Sequence, residues 1–540
     1  MPLPRYPVAA ANGVIATPHH LASQAGLRVL QAGGNAVDAA IAANAVLHLT
    51  EPHMCGLGGD LFMMIYSAAD EKLYALNGSG RSPYAVDIQW FHNRGITEMP
   101  PRGYTSISVP GVIDGWVTAN QRFGTRPMAE LLAPAIEYAE QGYPIRRHAL
   151  KGITRSQELL SAIPVAARNY LPGGRPPALG QMVRNPEIGA SLRLVAKEGR
   201  KALYDGGPLG EAVVKTCNEL GWPLSQRDLA DHRSEWVEPC STTYRGLTVY
   251  EYPPPNQGIA PLLALNILEG YELSSLGFGN PEAMHLQVEA MKAAFLLRNR
   301  LCVDPEHFTA PLAEVLSKEY AARLRQGIDP RKAGSAPASA APASAGGASG
   351  DTIFLCVADR QGNGVSLIQS NYAAWGSGIM AGEEGFFLQN RGSGFYLDPS
   401  HPNCYGPHRR PFHTLIPAMA FRDGRPWLLF GTRGADGQPQ TQTQFLCNLV
   451  DFGMNLQEAL DAPRWRLMGT YLRPQPNPLR MEHRFPEASL AGLQALGHEA
   501  GWTEDADDEM GHASAIMINR EQGVLYAAAD PRSDGVALGW

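Results

Sequence analysis

One threonine stands where a break in the chain would create a catalyst. Residues 331–350 are rich in Ala, Ser, Pro and Gly and have little to bury, which predicts a mobile linker. The linker leads through Asp351 directly into Thr352 and the strand-like run TIFLCVAD. A threonine hydroxyl is a weak nucleophile unless a base lies within hydrogen-bonding distance. The α-amino group, with a pKa of about 7.7–8.0, is such a base, so cleavage of the Asp351–Thr352 bond would create nucleophile and base together.

The elements around this threonine are predicted to be a hairpin and two helices. The run TIFLCVAD, a turn at residues 360–364 and the run VSLIQSN predict a β-hairpin that begins at Thr352. The periodicity of residues 18–50 predicts two helices, with Gly33-Gly34 ending the first and Asn35 or Asp38 opening the second.

The rest of the chain predicts sheets between layers of helices. The runs LFMMIYSA and LYALNG predict a second hairpin, and residues 110–330 have mainly helical periodicity. Strand-like runs return in residues 412–540, mixed with helices. Strands on both sides of a long helical middle favour sheets sandwiched between helical layers.

Composition excludes several classes of function. The 540 residues include 45 basic and 52 acidic side chains spread along the chain, so no basic face for nucleic acid is expected. Seven scattered cysteines without a CxxC pair argue against a disulfide framework or a zinc site. His19, His20 and His53 have no partner at metal-ligand spacing, and the Gly-rich turn 56–59 precedes a strand instead of following one. We therefore expect no metal and no cofactor.

The chain has no apolar run of signal-peptide type and none of the length that a membrane helix needs. These observations predict a cytoplasmic protein that has no membrane partner.

Several stretches resemble the γ-glutamyltransferase family of N-terminal-nucleophile hydrolases. They are the run 351–417 and the segments NAVDAAIAANAVLHLTEPHMCGLGGD, VPGVIDGWVTANQRFG, MAELLAPAIEYAEQGYP, PPPNQGIAPLLALNILEGYEL and GHASAIMINREQGVLYAAADPRSDG. The resemblance implies an α+β fold, a four-layer αββα sandwich, made as one precursor. It also implies autocatalytic cleavage into a large subunit, 1–351, and a small subunit, 352–540, which remain together as a heterodimer or as a dimer of heterodimers.

The resemblance assigns catalytic roles residue by residue. Thr352 takes the place of the family's nucleophile, and Ser370 that of a second threonine whose hydroxyl assists the nucleophile and its maturation. The family's Pro-Gly-Gly turn corresponds to Arg433-Gly434-Ala435, so the backbone amides of Gly434 and Ala435 are the expected oxyanion donors.

The positions that bind substrate in the family have changed here. Tyr372 stands in place of an Asn, and Gly394 in place of the Asp that pairs with the substrate's ammonium group. Arg391 replaces a Gln, and His413-Thr414 replaces the Ser-Ser pair that binds the carboxylate. Loss of an acid and gain of a base favour an anionic substrate that lacks an amino group.

Two further departures concern the carboxylate-binding arginine and the lid. In the segment NGSGRSP, Ser79 stands at the family's arginine position and Arg81 lies two residues later, so Arg81 is a candidate from a shifted position. The segment between Gly394 and Pro411 is shorter than the family's lid stretch, which favours water over an amine as acceptor.

With these changes the chain is similar to the family's amidohydrolase branch, which includes oxamate amidohydrolases. The expected function is hydrolysis of a small acidic amide, such as oxamate to oxalate and ammonia, through an acyl-enzyme on Thr352. The alternatives are a γ-glutamyltransferase or glutathione hydrolase, a cephalosporin-type acylase, and an uncleaved binding protein without catalysis.

Overall fold

A computed structural model of the chain describes residues 5–334, 350–468 and 478–540. Within these ranges it has nineteen α-helices and nineteen strands. Most of the predicted linker, 335–349, lies outside the described residues. No helix among the described residues has both the length and the apolar character required to span a membrane.

The helices are α1 (His20–Gln31), α2 (Ala36–Thr50), α3 (Ile88–His92), α4 (Val112–Phe123), α5 (Met128–Gln141), α6 (Arg147–Arg155), α7 (Gln157–Ser161), α8 (Pro164–Tyr170), α9 (Pro186–Glu198), α10 (Pro208–Glu219), α11 (Gln226–Ala230), α12 (Ile259–Leu268), α13 (Leu273–Leu276), α14 (Pro281–Leu301), α15 (Leu312–Val315), α16 (Lys318–Gln326), α17 (Gly437–Val450), α18 (Leu456–Asp461) and α19 (Glu487–Ala495).

The strands are β1 (Val8–Ala10), β2 (Gly13–Thr17), β3 (Asp60–Ser67), β4 (Lys72–Gly78), β5 (Tyr143–Pro144), β6 (Met182–Val183), β7 (Glu235–Val237), β8 (Cys240–Tyr244), β9 (Leu247–Glu251), β10 (Gly350–Asp359), β11 (Gly364–Ala373), β12 (Ala418–Arg422), β13 (Arg425–Thr432), β14 (Trp465–Leu467), β15 (Leu479–Glu482), β16 (Ala500–Thr503), β17 (Ala513–Asn519), β18 (Val524–Ala529) and β19 (Val536–Gly539).

Two seven-stranded sheets form the centre of the molecule. One has the strand order β19-β2-β10-β11-β3-β4-β7, and the other has the order β1-β18-β17-β13-β12-β9-β8. The predicted hairpin of TIFLCVAD and VSLIQSN is therefore β10–β11, at the middle of the first sheet. Both sheets draw strands from the two ends of the chain.

Three apolar cores separate four layers. One core joins the first sheet to helices that include α1, α2, α4, α5 and α9, and a second joins the other sheet to α12, α14 and α17. The third core lies between the sheets. Strand β10 contributes to two of them because its side chains alternate: Ile353 and Leu355 face the helices, whereas Phe354 and Cys356 face the other sheet. The αββα sandwich expected from the sequence is confirmed.

The two helices of residues 18–50 follow the prediction. Asn35 caps α2, since its side chain accepts from the backbone of Val37 and Asp38, and the Asp38 carboxylate accepts from the Asn35 amide in return. Every residue of α2 is buried. This Ala-rich helix therefore lies inside the molecule, under the strands that carry the nucleophile.

Strand β10 begins two residues earlier than predicted. Gly350 and Asp351 already pair with Ala373 and Tyr372 of β11, and a bulge interrupts the ladder between Asp351 and Ile353. The extra residue of the bulge is on β11, where Ser370 and Asn371 together stand opposite the single residue Thr352. The predicted cleavage site is thus held inside a hairpin and is not the free end of a linker.

Candidate active site

A short chain of hydrogen bonds joins Thr352 to the peptide bond that precedes it. The Thr352 Oγ1 hydroxyl donates to Ser370 Oγ at 3.1 Å, and Ser370 Oγ donates to the carbonyl oxygen of Asp351 at 2.6 Å. The backbone amide of Tyr372 donates to Ser370 Oγ at 2.7 Å, which fixes the serine hydroxyl in this position. Thr352 is 2% exposed and Ser370 is fully buried.

This arrangement suits attack of a hydroxyl on its own preceding carbonyl. The Ser370 hydroxyl withdraws electron density from the Asp351 carbonyl, while its oxygen accepts from the hydroxyl of Thr352. The bulge in β11 is at Ser370, the residue that contacts both Thr352 and the Asp351 carbonyl, and the low exposure of Thr352 and Ser370 strengthens each hydrogen bond. The structure therefore brings together the predicted nucleophile, its predicted helper and the predicted cleavage site.

The predicted oxyanion turn follows β13 at the centre of the opposite sheet. Gly434 has φ +131° and Ala435 has φ +49°, a left-handed conformation that costs a non-glycine residue roughly 1–2 kcal/mol. Within the described part of the chain, neither backbone amide donates a hydrogen bond. Helix α17 begins at Gly437, so its positive end adds to the field of these two amides.

Two residues that sequence reasoning missed hold this turn. Gln257 Nε2 donates to the carbonyl oxygens of both Ala435 and Thr414, each at 2.8 Å. Arg298 Nη1 donates to Gln257 Oε1 at 3.0 Å and also pairs with Asp436 at 3.1 Å. Gln257 and Arg298 are fully buried. The signal in the sequence was the polar pair Asn256-Gln257, which is separated by one glycine from the apolar helix IAPLLALNIL and would not be needed to form an apolar core.

The predicted substrate-binding residues Tyr372, Arg391 and Thr414 are in contact. The guanidinium carbon of Arg391 lies 4.3 Å from the centre of the Tyr372 ring, and Arg391 Nη1 donates to Thr414 Oγ1 at 3.2 Å. Burial raises the pKa of the Tyr372 hydroxyl to about 12, so the ring stays neutral. These three side chains form one group, in which Arg391 is the single cation and both Arg391 and Thr414 are buried.

His413 joins this group through Asp60, a residue that the sequence did not single out. His413 Nε2 lies 2.7 Å from Asp60 Oδ2, and the Leu415 amide donates to Nδ1 at 3.3 Å. The hydrogen on the ring is therefore on Nε2, directed at the carboxylate. Burial, reinforced by Arg391, lowers the pKa of His413 to about 3, so the ring is neutral at physiological pH.

Asp60 is the fixed counter-charge of this group. Its carboxylate lies 3.5 Å from Arg391 Nε and also accepts from the Gly80 amide and from Gln389 Nε2. The residue is fully buried at the start of β3. In the sequence Asp60 follows the Gly-rich turn 56–59 and directly precedes the mainly apolar run LFMMIYSA. A carboxylate at the start of such a run was the signal that could have identified it as a site residue.

Arg81 lies in a different set of ion pairs. Its guanidinium contacts Glu306 at 3.0 Å, the His408 carbonyl at 3.2 Å, and Asp304 and Glu235 at 3.5 Å. None of these described partners is another predicted site residue. The role of Arg81 as a substrate-carboxylate ligand stays a prediction, and three carboxylates compete for its charge.

A cavity of about 210 Å³ opens beside the predicted cleavage site. Its lining includes four side chains with permanent positive charge and two carboxylates: Arg102, Lys151, Arg155, Arg433, Asp351 and Asp508. Arg433 Nη1 lies 3.4 Å from Asp351 Oδ1, and Arg433 Nη2 donates to the backbone carbonyl of Asp508 at 2.8 Å. Since Lys151 pairs with Asp508, the cavity keeps an excess of positive charge.

Two histidine-containing groups near this cavity have donor atoms close enough to hold a metal ion. The first joins Glu51, His53 and His148, and the second joins His148 to Asp508 and His512. Burial raises the pKa of Glu51 and lowers that of His148 to about 3, so burial disfavours the charged form of each partner in their 2.6 Å contact. In the second group Asp508 is occupied by Lys151. Each group joins the distant His148 to two residues that are close to each other in sequence, which is why spacing alone did not reveal it.

A four-layer αββα sandwich with a strand-borne hydroxyl nucleophile beside its own scissile carbonyl defines the class of N-terminal-nucleophile hydrolases. Comparison with known proteins identifies the group within that class. The gamma-glutamyltranspeptidase family profile matches residues 22–540, and the chain belongs to this family. It is a self-processing amidohydrolase of that class, as the resemblance in the sequence predicted.

Two relatives and one solved structure match over nearly the whole length of the chain. The chain is 40% identical over 527 residues to the glutathione hydrolase-like YwrD proenzyme of Bacillus subtilis, covering 97% of this chain and 98% of the relative. It is 35% identical over 536 residues to the oxamate amidohydrolase proenzyme of Klebsiella pneumoniae, covering 98% of each. A crystal structure of cephalosporin acylase from Bacillus halodurans superposes with a TM-score of 0.90 at 36% identity, covering 100% of this chain and 98% of that one.

Proposed function

We propose that the processed enzyme hydrolyses small acidic amides, of which oxamate is the simplest, to a dicarboxylate and ammonia. The observation that carries this proposal is the excess of positive charge in the cavity beside Asp351 and Thr352. An anionic substrate gains from such a cavity, whereas an ammonium group is repelled. The oxamate amidohydrolase proenzyme, 35% identical, gives further support.

In this proposal maturation begins with attack of Thr352 Oγ1 on the Asp351 carbonyl. The carbon–nitrogen bond breaks, the hydroxyl proton passes to the nitrogen, and the resulting ester is hydrolysed by water. The small subunit then begins at Thr352 with a free α-amino group. Ser370 supports this step because its hydroxyl already bonds both the nucleophile and the carbonyl oxygen.

Catalysis then repeats the same chemistry on the substrate amide. The α-amino group of Thr352 accepts the hydroxyl proton and transfers it to the leaving ammonia. The backbone amides of Gly434 and Ala435 stabilise the oxyanion, and Gln257 holds their turn in place. Water hydrolyses the acyl-enzyme, and Thr352 is regenerated.

A substrate comparison on the processed enzyme tests the proposal. Ammonia release from oxamate and p-nitroaniline release from a γ-glutamyl anilide are measured under the same conditions, with a glutaryl amide as a third substrate. We expect kcat/KM for the acid amides to exceed that for the γ-glutamyl anilide by about tenfold or more, since the ammonium group meets cations. Faster turnover of the γ-glutamyl anilide would instead assign a glutathione hydrolase or γ-glutamyltransferase activity.

A further inference from the structure

Self-cleavage and substrate hydrolysis place an acyl group on the same oxygen. When Thr352 Oγ1 attacks the Asp351 carbonyl, the acyl group of Asp351 becomes an ester of Thr352 before water releases it. A substrate's acyl group forms the same ester later. Asp351 is therefore the first acyl group that the nucleophile carries, and its surroundings in the intact chain describe a site next to the acyl-enzyme.

The side chain of Asp351 lies against cations of the cavity. Its Oδ1 is 3.4 Å from Arg433 Nη1, and Arg102 is a second cation of the same lining that interacts with this carboxylate. Arg102 is fixed because its Nη2 donates to the carbonyl of Ala374 at 2.5 Å. Asp351 is 6% exposed, so this is a largely desolvated carboxylate site.

Arg433 is suitably placed to bind the acyl group of a substrate as well. It directly precedes Gly434 and Ala435, whose amides are the expected oxyanion donors. The 3.4 Å contact of its guanidinium with Asp351 also places Arg433 next to the acyl group that Thr352 receives first. Cleavage at this bond would make Asp351 the free end of the large subunit and so allow its carboxylate to leave Arg433.

We propose that Arg433 and Arg102 form the binding site for the carboxylate of the substrate's acyl group, and that Asp351 occupies this site until cleavage. The inference rests on the proposed amidohydrolase function and specifies its substrate class. In Asp351 two carbons, Cα and Cβ, separate the acyl carbonyl from the carboxylate. The matching substrates are half-amides of four-carbon dicarboxylic acids, such as succinamate.

Chain length separates this class from its neighbours. Oxamate lacks both intervening carbons, so its carboxylate falls about 2.5 Å short of the position that the Asp351 carboxylate occupies, given carbon–carbon bonds of about 1.5 Å. Glutaramate has one carbon too many. Distances of this size decide whether a charged hydrogen bond to Arg433 forms.

The first experiment measures binding without catalysis. In Thr352→Ala the chain stays whole and Asp351 keeps the site, whereas in Thr352→Ala/Asp351→Ala the chain stays whole and the site is vacant. We expect succinate to bind the double variant about tenfold or more tightly than the single variant in titration calorimetry, because a charged hydrogen bond is no longer contested. Equal binding to the two variants overturns the proposal.

The second experiment measures the chain-length preference of the processed enzyme. Ammonia release is followed from oxamate, malonamate, succinamate, glutaramate and the uncharged butyramide, and we expect kcat/KM to be greatest for succinamate. In Arg433→Gln and Arg102→Gln the ratio of kcat/KM for succinamate to that for butyramide should fall about tenfold. The exposed Arg168→Gln on α8 is the matched control and should keep the ratio.

The outcomes separate this inference from the proposed function. A maximum at oxamate, or an unchanged ratio in a processed Arg433→Gln enzyme, rejects the carboxylate site while hydrolysis of acid amides stands. Processed enzyme that hydrolyses no acid amide rejects the proposed function itself. Preference for amides whose carboxylate is on the leaving group, such as N-butyrylglycine over succinamate, places the bound carboxylate on the other side of the scissile bond and also overturns the inference.

Discussion

Two buried arginines contact the hairpin that carries the nucleophile, Arg391 at Tyr372 of β11 and Arg433 at Asp351 of β10, and they differ in whether cleavage removes a partner. Arg391 contacts Tyr372, Thr414 and Asp60, all of which belong to secondary structure or turns that cleavage leaves intact. Arg433 pairs with Asp351, the residue at which the large subunit is expected to end. The charge of Arg391 is therefore paired both before and after processing, whereas we expect Arg433 to keep its carboxylate partner only until processing.

This difference shows where charge is available for a substrate. A buried ion pair whose two partners stay in place has no net charge left to attract an anion. A cation that loses its carboxylate partner at maturation can attract an anionic substrate, and it does so from the same step that forms the nucleophile. The Arg391 side of Thr352 thus shapes the site, whereas the Arg433 side attracts the substrate.

The test of this contrast with the largest expected effect is a variant that cannot be cleaved. Thr352→Ala should remain one chain near the 58.3 kDa of the intact sequence, with Asp351 still paired to Arg433. Activity should fall by about a thousandfold or more, because both nucleophile and base are missing. Intact-mass analysis and denaturing electrophoresis provide the measurement.

Thr352→Ser is the matched control, since it keeps a hydroxyl and should still be processed. In active wild-type protein the small chain should begin at Thr352. A Thr352→Ala chain that splits at the same bond, or a small chain that starts elsewhere, contradicts self-processing by this residue.

A second test removes the hydroxyl between nucleophile and carbonyl. Ser370→Ala should slow processing by about a hundredfold or more, comparable to the loss of one oxyanion donor, since Ser370 Oγ donates to the Asp351 carbonyl. The fraction of intact chain is followed against time after synthesis.

Ser366→Ala is the matched control on the same face of β11, where Ser366 bonds only the Phe430 carbonyl among the described residues. It should mature at the wild-type rate. Equal delay in the two variants would show that packing of the hairpin, and not the Ser370 hydroxyl, limits cleavage.

A third test compares the two arginines directly through the stability of the processed protein. Arg391→Gln leaves Asp60 with a weaker set of partners in a fully buried position and should lower the free energy of unfolding by about 2–4 kcal/mol. Arg433→Gln should cost about 1 kcal/mol, because its carboxylate partner has already left. Thermal unfolding of the two variants measures the difference, and a larger loss in Arg433→Gln contradicts the contrast.

The sequence predicted the fold well because the fold depends on local patterns. Alternation in TIFLCVAD and VSLIQSN specified the central hairpin, and the Asn35–Asp38 capping box specified the start of α2. The start of β10 was placed two residues late, since Gly350 and Asp351 follow a linker composition and enter the strand only through pairing with β11.

The site was predictable only where resemblance supplied the residues. Thr352, Ser370 and the turn at Gly434 followed from motifs, but Asp60 was missed because its partners Arg391 and His413 are more than 300 residues away. The Arg433–Asp351 pair was missed for the same reason, since 82 residues separate the two charges. Such contacts depend on how the two sheets stack, which periodicity does not reveal.

The smallest expected effect concerns the group around Arg391 and Asp60, and it is the pH dependence of stability that His413 causes. His413 has a pKa of about 3 in the folded protein, lowered mainly by burial, against about 6.5 in the unfolded chain. Between these values the unfolded state binds more protons, so the free energy of unfolding falls as pH decreases, by up to about 1.4 kcal/mol per pH unit from this group. Above pH 6.5 this dependence vanishes.

His413→Gln should therefore be less stable than its parent at pH 7 but lose less stability between pH 7 and pH 5. The amide of Gln can still donate to Asp60, and it does not titrate. Thermal unfolding is measured in the uncleaved Thr352→Ala background, so that one chain unfolds, with the exposed His483→Gln as the control that keeps the parent's slope. If stability depends on pH with the same slope in His413→Gln and its parent, His413 is protonated in the folded protein. The group around Asp60 would then have a second positive charge beside Arg391.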